Sequence, residues 1–271
     1  MAILILYLSI NDEEIWHTCV IKFLSISVLL ILFFAAQSVE KNSQKPIRVL
    51  LLSGRNNHEW QQTTPFIEKI FLQSGKFTVS VTEKTDTLKM SDFIKFDVVL
   101  SNWNSWPEND FRWPERTKKA LLQFIKNGGG FVTFHASSSA FYNWPEFQKI
   151  STAAWIMDTT SHGKVSETNV SIINKKHPVT AGISDFVIFD ELWLNAAVNP
   201  KFEVLGTASN QKITDEGLKS QPAIMVAGYG KGRIFHTILG HDLIAMESEG
   251  FQMLMLRGTE WAAIGKVSQN N

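Results

Sequence analysis

The chain has 271 residues, 44% of them hydrophobic and 19% charged, which is ordinary for a soluble globular protein and fits one large domain or two small ones. Lys plus Arg and Asp plus Glu balance at 26 each, so there is no electrostatic footprint for nucleic acid or for an anionic membrane surface. The only cysteine, Cys19, lies at the edge of a leader-like segment, and its removal with that segment would exclude thiol catalysis, cysteine-ligated zinc and disulfides together.

Residues 20–36 read VIKFLSISVLLILFFAA. The apolar core, 23–36, is short for a membrane span and right for the hydrophobic part of a signal peptide, with Lys22 before it. Ala36-Gln37-Ser38 offers small residues for cleavage before Val39. Residues 1–38 are therefore expected to be a leader and 39–46 a polar tether, with the folded domain over 47–265. Asp12, Glu13 and Glu14 precede the apolar run, where acid is disfavoured, so a true start near Val20 or Ile21 is expected. The expectation is export to a periplasmic or extracellular space, with no stable membrane partner after cleavage. The alternative is an uncleaved N-terminal anchor.

Residues 47–54 form a nearly continuous apolar run ending in Gly54, the pattern of a buried parallel strand and a turn. Thr64-Pro65 predicts a helix start, with Phe66, Ile67, Ile70 and Phe71 on one face and Gly75 as its stop. Residues 77–81 and 96–102 predict two more strands. Pro114 opens a helix with the stripe Ala120, Leu121, Phe124 and Ile125. Gly128-Gly129-Gly130 ends it before a strand over 131–135. Strands alternating with helical crossovers predict an α/β fold on a doubly wound parallel sheet. The second half is less regular, with strands over 165–173, 202–206, 223–227 and 232–240 and a last helix over 245–263, whose expected inner face is Phe251, Leu254, Met255 and Trp261.

Open parallel sheets bind ligands beyond the carboxyl ends of their strands. Those ends deliver His58 with Glu59 and Trp60, then Asn102 with Trp103, Asn104 and Trp106, then His135, then His241 with Asp242. His162 and the Asp190-Glu191 pair lie on connections that can reach the same rim. One histidine after one strand means little, and three at one edge point to a shared pocket. His135 stands where a strand turns sharply into a helix, the place of the nucleophile in several α/β families, and an imidazole there serves as general acid, general base or metal ligand. Ser137, Ser138 and Ser139 read as helix caps, and the G-x-S-x-G pattern is absent. His58, His162 and His241 with Glu191 are candidate ligands for a divalent ion such as zinc, although no tight ligand spacing marks one. His177 reads as a loop anchor and His236, inside a strand, as structural.

Taken in order, several short motifs resemble the trehalose-utilisation, or ThuA-like, family. They are Leu51-Leu52-Ser53-Gly54 with His58, Gly128 to Val132 leading to His135-Ala136, Ser161-His162-Gly163, His177-Pro178, Asp190-Glu191-Leu192-Trp193, Gly230 to Phe235 running into Gly240-His241-Asp242, and Arg257 to Ala263. The likeness covers roughly residues 47 to 265. It implies a flavodoxin-like, three-layer fold similar to class I glutamine amidotransferases. Those enzymes carry a cysteine at the elbow where this chain has His135, so the glutaminase reaction is not expected. It also implies a link to disaccharide use and to oxidised (3-keto) sugars. The stretch from Ala153 to Ser161, and Asn143-Trp144-Pro145, depart from the pattern.

The leading expectation is an enzyme acting on keto-sugars, a small-molecule carbohydrate, with His135, His241 and Glu191 catalytic. His58, Trp60, Asn102, Trp103, His162, Asp190 and Asp242 would bind substrate, and Trp60, Trp103, Trp106 and Trp144 would wall the sugar rings. The alternatives are a non-catalytic carbohydrate-binding protein and a scaffold. The oligomeric state is left open.

Overall fold

The computed structural model describes residues 45–106, 112–141, 144–151, 153–199, 201–210 and 219–268. The expected leader, most of the tether, Cys19 and Asn143 lie outside them. No helix among the described residues is long and apolar enough to cross a membrane. The residues from Pro46 onward form one compact unit.

The first half follows the expected alternation. Strand β1 (Ile47–Leu52) leads to α1 (Trp60–Gln73), β2 (Phe77–Thr82), the short α2 (Met90–Phe93), β3 (Val98–Ser101), α3 (Glu115–Lys126) and β4 (Gly130–Phe134). A 3-10 turn, His135–Ser139, and α4 (Pro145–Ile150) come next. The second half contains β5 (Ala153–Ala154), β6 (Ser161–His162), β7 (Ser166–Ile172), β8 (Phe186–Asp190), β9 (Trp193–Leu194) and β10 (Ala197–Val198). It ends with β11 (Glu203–Ser209), β12 (Gln221–Tyr229), β13 (Gly232–Thr237), α5 (Leu243–Met246) and α6 (Glu249–Ile264).

Nine strands form one sheet in the order β2-β1-β3-β4-β13-β12-β11-β7-β8. β2, β1, β3, β4 and β13 are mutually parallel, the core of an α/β flavodoxin-like fold. The remaining strands extend it with antiparallel pairs. Two short ladders, β5 with β10 and β6 with β9, lie apart from it.

Strand alternation builds the layers. On β1, Val49 and Leu51 join Ile67 and Phe71 of α1 and Phe251, Leu254 and Met255 of α6 in one core. Leu50 and Leu52 face the other way, into a second core with Leu121, Phe124 and Ile125 of α3. Both cores therefore press on one sheet and hold its strand ends at fixed positions.

Several elements differ from the sequence reading. Helix α1 begins at Trp60, before Thr64, and carries Pro65 inside it. At the sixth helical position proline removes one backbone bond, the one an N–H there would give to Gln61 O. The expected last helix is two, with the Asp242 side chain accepting from Ala245 N to cap α5. Strand β8 was not anticipated, and it places Asp190 at a strand end.

Candidate functional site

The ends of β1, β4, β8 and β13 converge at one edge of the sheet. After β1 the chain turns at Gly54, whose φ of +92° a side chain rarely adopts, and reaches His58. After β4, His135 itself takes a left-handed conformation, φ +41°, the strained geometry of an elbow. Ser137 holds that turn, its hydroxyl donating to Phe134 O at 2.8 Å and accepting from Phe134 N at 2.9 Å. At the end of β8, Asp190 is fully buried. Its carboxylate accepts from the backbone N–H of Glu191 (2.8 Å), Gly240 (2.7 Å) and His241 (3.0 Å). That acceptor ties the end of β8 to the turn after β13 and sets Glu191 beside His241. Asp190 is thus a positioning group and does not line the cavity, which corrects its expected role as a substrate ligand.

Four side chains meet there. The ring centroids of His58, His135 and His241 lie 4.6–5.1 Å apart, all edge to face. His241 Nδ1 is 3.2 Å from His135 Nε2. Glu191 Oε2 is 3.5 Å from His241 Nδ1 and 3.6 Å from His135 Nε2, while its Oε1 is 2.8 Å from His162 Nδ1.

The surroundings fix two tautomers. His135 Nδ1 is 2.8 Å from the carbonyl of Ile238, which can only accept, so Nδ1 carries a proton and, in the neutral ring, Nε2 offers a lone pair. His58 Nδ1 is 3.1 Å from Asn56 Oδ1. The Asn56 amide is oriented by Nδ2 donating to the Asn102 carbonyl at 3.1 Å, so His58 Nδ1 is also the protonated nitrogen. Asn102 in turn donates to Thr63 and Thr64 at 3.0 and 2.9 Å. Asn102 is accordingly a buried brace behind His58.

Charge follows from this packing. Burial, helped by His135 and His241, pushes the His58 imidazole down to about 3, so it is neutral. Burial pushes the Glu191 carboxyl up, but the adjacent imidazoles of His135 and His241 prevail and hold it well below the usual carboxylate range. Burial lowers His241, and Glu191 outweighs it, so His241 sits above the ordinary histidine value. Burial raises Asp190.

Above the cluster opens a cavity of about 410 Å³. His58, His162, Glu191 and His241 reach it, with Trp106, Trp155 and Trp193 as aromatic walls. Asn57, Glu59, Asn104, Ser139 and Asp242 supply further polar lining. His135, 2% exposed, borders a smaller hollow beneath with Asn102 and His58.

The expected tryptophan walls are largely elsewhere. Trp103 stacks on Phe141 and Trp144 packs on Phe141 and Phe147 in the α3-side core. Trp60 opens α1 and does not line the cavity. Trp155 and Trp193 take that place, 5.3 Å apart and edge to face, and were not singled out as walls from sequence. Trp193 stands in the Asp190-Glu191-Leu192-Trp193 motif, two residues after Glu191. Asn56 was also missed, although an amide two residues before a histidine on a strand-end loop is a readable signal. His177 packs on Trp261, and His236 is fully buried.

A family model described as ThuA, trehalose utilisation, matches residues 48–262. A ThuA-like protein of Parabacteroides merdae is 33% identical, with a TM-score of 0.73 over 84% of this chain and 93% of its own. A ThuA-like protein of Bacteroides uniformis, 19% identical, shares the fold with a TM-score of 0.65 over 83% of this chain and 96% of its own. A β-galactosidase of Rahnella sp. R3, 13% identical, shares the fold over 81% of this chain and 32% of its own, with a TM-score of 0.54. No curated protein matches.

Proposed function

The chain belongs to the trehalose-utilisation (ThuA) family, and we propose that its imidazole–carboxylate cluster is the reactive centre of an enzyme acting on neutral sugars that carry a ketone, with 3-keto glycosides or disaccharides as the substrate class. One observation carries the reading: His58, His135, Glu191 and His241 converge under a tryptophan-walled cavity.

Aromatic faces suit the apolar faces of sugar rings, and the amides and hydroxyl of the lining suit their hydroxyl groups. No Lys or Arg is among the described lining residues, while three carboxylates are. Such a lining disfavours phosphorylated or carboxylated sugars.

The chemistry favours a ketone over a plain glycoside. Ordinary glycosidases need two free carboxylates across the scissile bond. Here Glu191 pairs with His162 through one oxygen and faces His135 and His241 with the other, Asp242 caps α5, and among the described lining residues only Glu59 remains free of such a partner. A ketone instead makes the neighbouring C–H acidic, and a glycosidic oxygen one carbon further can leave once that proton is removed. His162 lines the cavity with Glu191 on its Nδ1, a placement suited to moving that proton. His135, held beneath the cavity with its Nδ1 on Ile238 O, is in this reading a floor group that supports charge rather than the proton carrier.

Turnover of 3-keto-glucosides, unmodified disaccharides and sugar phosphates, followed by NMR, tests the proposal. Turnover confined to the neutral keto-sugars supports it. Tight binding without turnover selects a carbohydrate-binding protein, and neither binding nor turnover rejects a sugar role. Export is part of the same proposal, supported by the apolar run over 23–36. N-terminal sequencing of the secreted protein checks it.

A further inference from the structure

We propose that His58, His135, Glu191 and His241 bind one divalent transition-metal ion of the zinc class. The ion's catalytic role rests on the reading above, while its binding stands on the geometry alone.

The donor atoms form the face of a coordination polyhedron. His135 Nε2, His241 Nδ1 and Glu191 Oε2 make a triangle with edges of 3.2, 3.5 and 3.6 Å. A tetrahedral zinc site with ordinary bond lengths has edges of roughly 3.3 Å. An octahedral magnesium site would have edges of about 2.9 Å. The available nitrogen of His58 completes the group, all four donors lying within 4.8 Å of one another. Three imidazoles and one carboxylate suit zinc and its neighbours, not the oxygen-seeking calcium or magnesium.

A shared proton explains this arrangement less well. His135 Nε2 and His241 Nδ1 stand 3.2 Å apart, and when His135 is neutral, with its one proton on Ile238 O, only a proton on His241 can lie between them. That proton satisfies one edge. The two edges to Glu191, at 3.5 and 3.6 Å, stay beyond the usual hydrogen-bond range. A cation at the centre satisfies all three at once, displacing the His241 Nδ1 proton to solvent or to Nε2.

The supporting layer is also that of a metal site. Ligating histidines typically donate their other N–H to a carbonyl or carboxylate, which fixes the tautomer and aims the lone pair. Ile238 O does this for His135 and Asn56 Oδ1 for His58. His58 is neutral and Glu191 ionised, the forms that ligate. His58, Glu191 and His241 line the cavity, so a ketone oxygen would approach the ion from that side as a fifth ligand and be polarised there.

The test uses the full chain, stripped with a chelator and titrated with zinc chloride. Expected are one ion per chain after dialysis, a melting temperature several degrees higher with excess zinc, and tetrahedral d–d bands when cobalt(II) replaces zinc. Glu191→Gln should weaken binding by about 100-fold or more, while His162→Ala keeps one ion per chain. Circular dichroism of the metal-free variants controls for folding, and His241→Gln serves if Glu191→Gln misfolds. Zinc well below one equivalent with an unchanged melting temperature overturns the proposal, and so does stoichiometric zinc that survives in the Glu191→Gln/His241→Gln double variant. Full keto-sugar turnover by metal-free protein removes the ion's catalytic role and leaves the proposed function. One tightly bound ion with no turnover keeps the ion and removes the function.

Discussion

Glu191 Oε1 lies 2.8 Å from His162 Nδ1, while Oε2 of the same carboxylate faces His135 and His241. One side chain thus joins the histidine at the cavity mouth to the two on its floor. Replacing Glu191 by Gln removes the charge that serves all three, and kcat/KM on a keto-glycoside should fall by at least about 100-fold. His162→Gln should cost less, about 10- to 100-fold, mostly in kcat. Steady-state kinetics of the two variants decides. Equal activity in wild type and Glu191→Gln contradicts the arrangement.

The left-handed backbone at His135 has its own signature. Alanine normally outlasts glycine in a folded chain, by roughly 0.5–1 kcal/mol in regular structure. At φ +41° an L-residue is penalised by about 1–2 kcal/mol, and glycine is not. His135→Gly should therefore unfold at higher urea than His135→Ala, the reverse of the usual order. Both lose the same ring, so the comparison isolates the backbone.

His236 makes stability depend on pH. Its Nδ1 lies 3.0 Å from Thr133 O, its Nε2 is buried without a partner, and burial pushes the group down from 6.5 to about 3. The unfolded chain therefore binds more protons between those two values. The resulting stability is full above about pH 6.5 and is lost as pH falls toward 3, by on the order of a few kcal/mol. His58 and Glu191 also titrate in acid, so the informative quantity is the difference between wild type and His236→Leu. Wild type should lose more stability between pH 7 and pH 4 in urea melts.

Asn56 sets the His58 tautomer through one bond of 3.1 Å. In Asn56→Ala either imidazole nitrogen can carry the proton, and zinc affinity should fall about 10- to 100-fold with the fold intact. Competition with a chelating dye measures it. Unchanged affinity would show that Asn56 does not set the His58 donor atom.

Much of the fold was legible because its signals are local. An apolar run closed by Gly54 marked β1, a run opened by Gly128-Gly129-Gly130 marked β4, and the 3.6-residue stripe Ala120, Leu121, Phe124 and Ile125 marked α3. The rule that parallel strands end on one rim then placed His58, His135 and His241 together, as they are. What stayed hidden is set by tertiary contacts. A tryptophan at a strand end looks the same whether it walls a cavity, as Trp106 does, or packs against Phe141, as Trp103 does. The sequence reading turns both members of the Asp190-Glu191 pair toward the site, Glu191 as a catalytic group and Asp190 as a substrate ligand. Strand β8, unseen in the pattern, gives them opposite duties, one turned into the backbone and one toward the cavity.

The central claim is that this cluster activates a C–H bond beside a sugar ketone, and its most direct test is hydrogen exchange. A 3-keto-glucoside is incubated with the protein in deuterated water, and the proton next to the ketone is followed by NMR. Wild type should speed loss of that signal far above the buffer rate, and Glu191→Gln should not. Exchange no faster with saturating wild-type protein than in buffer alone would contradict the account.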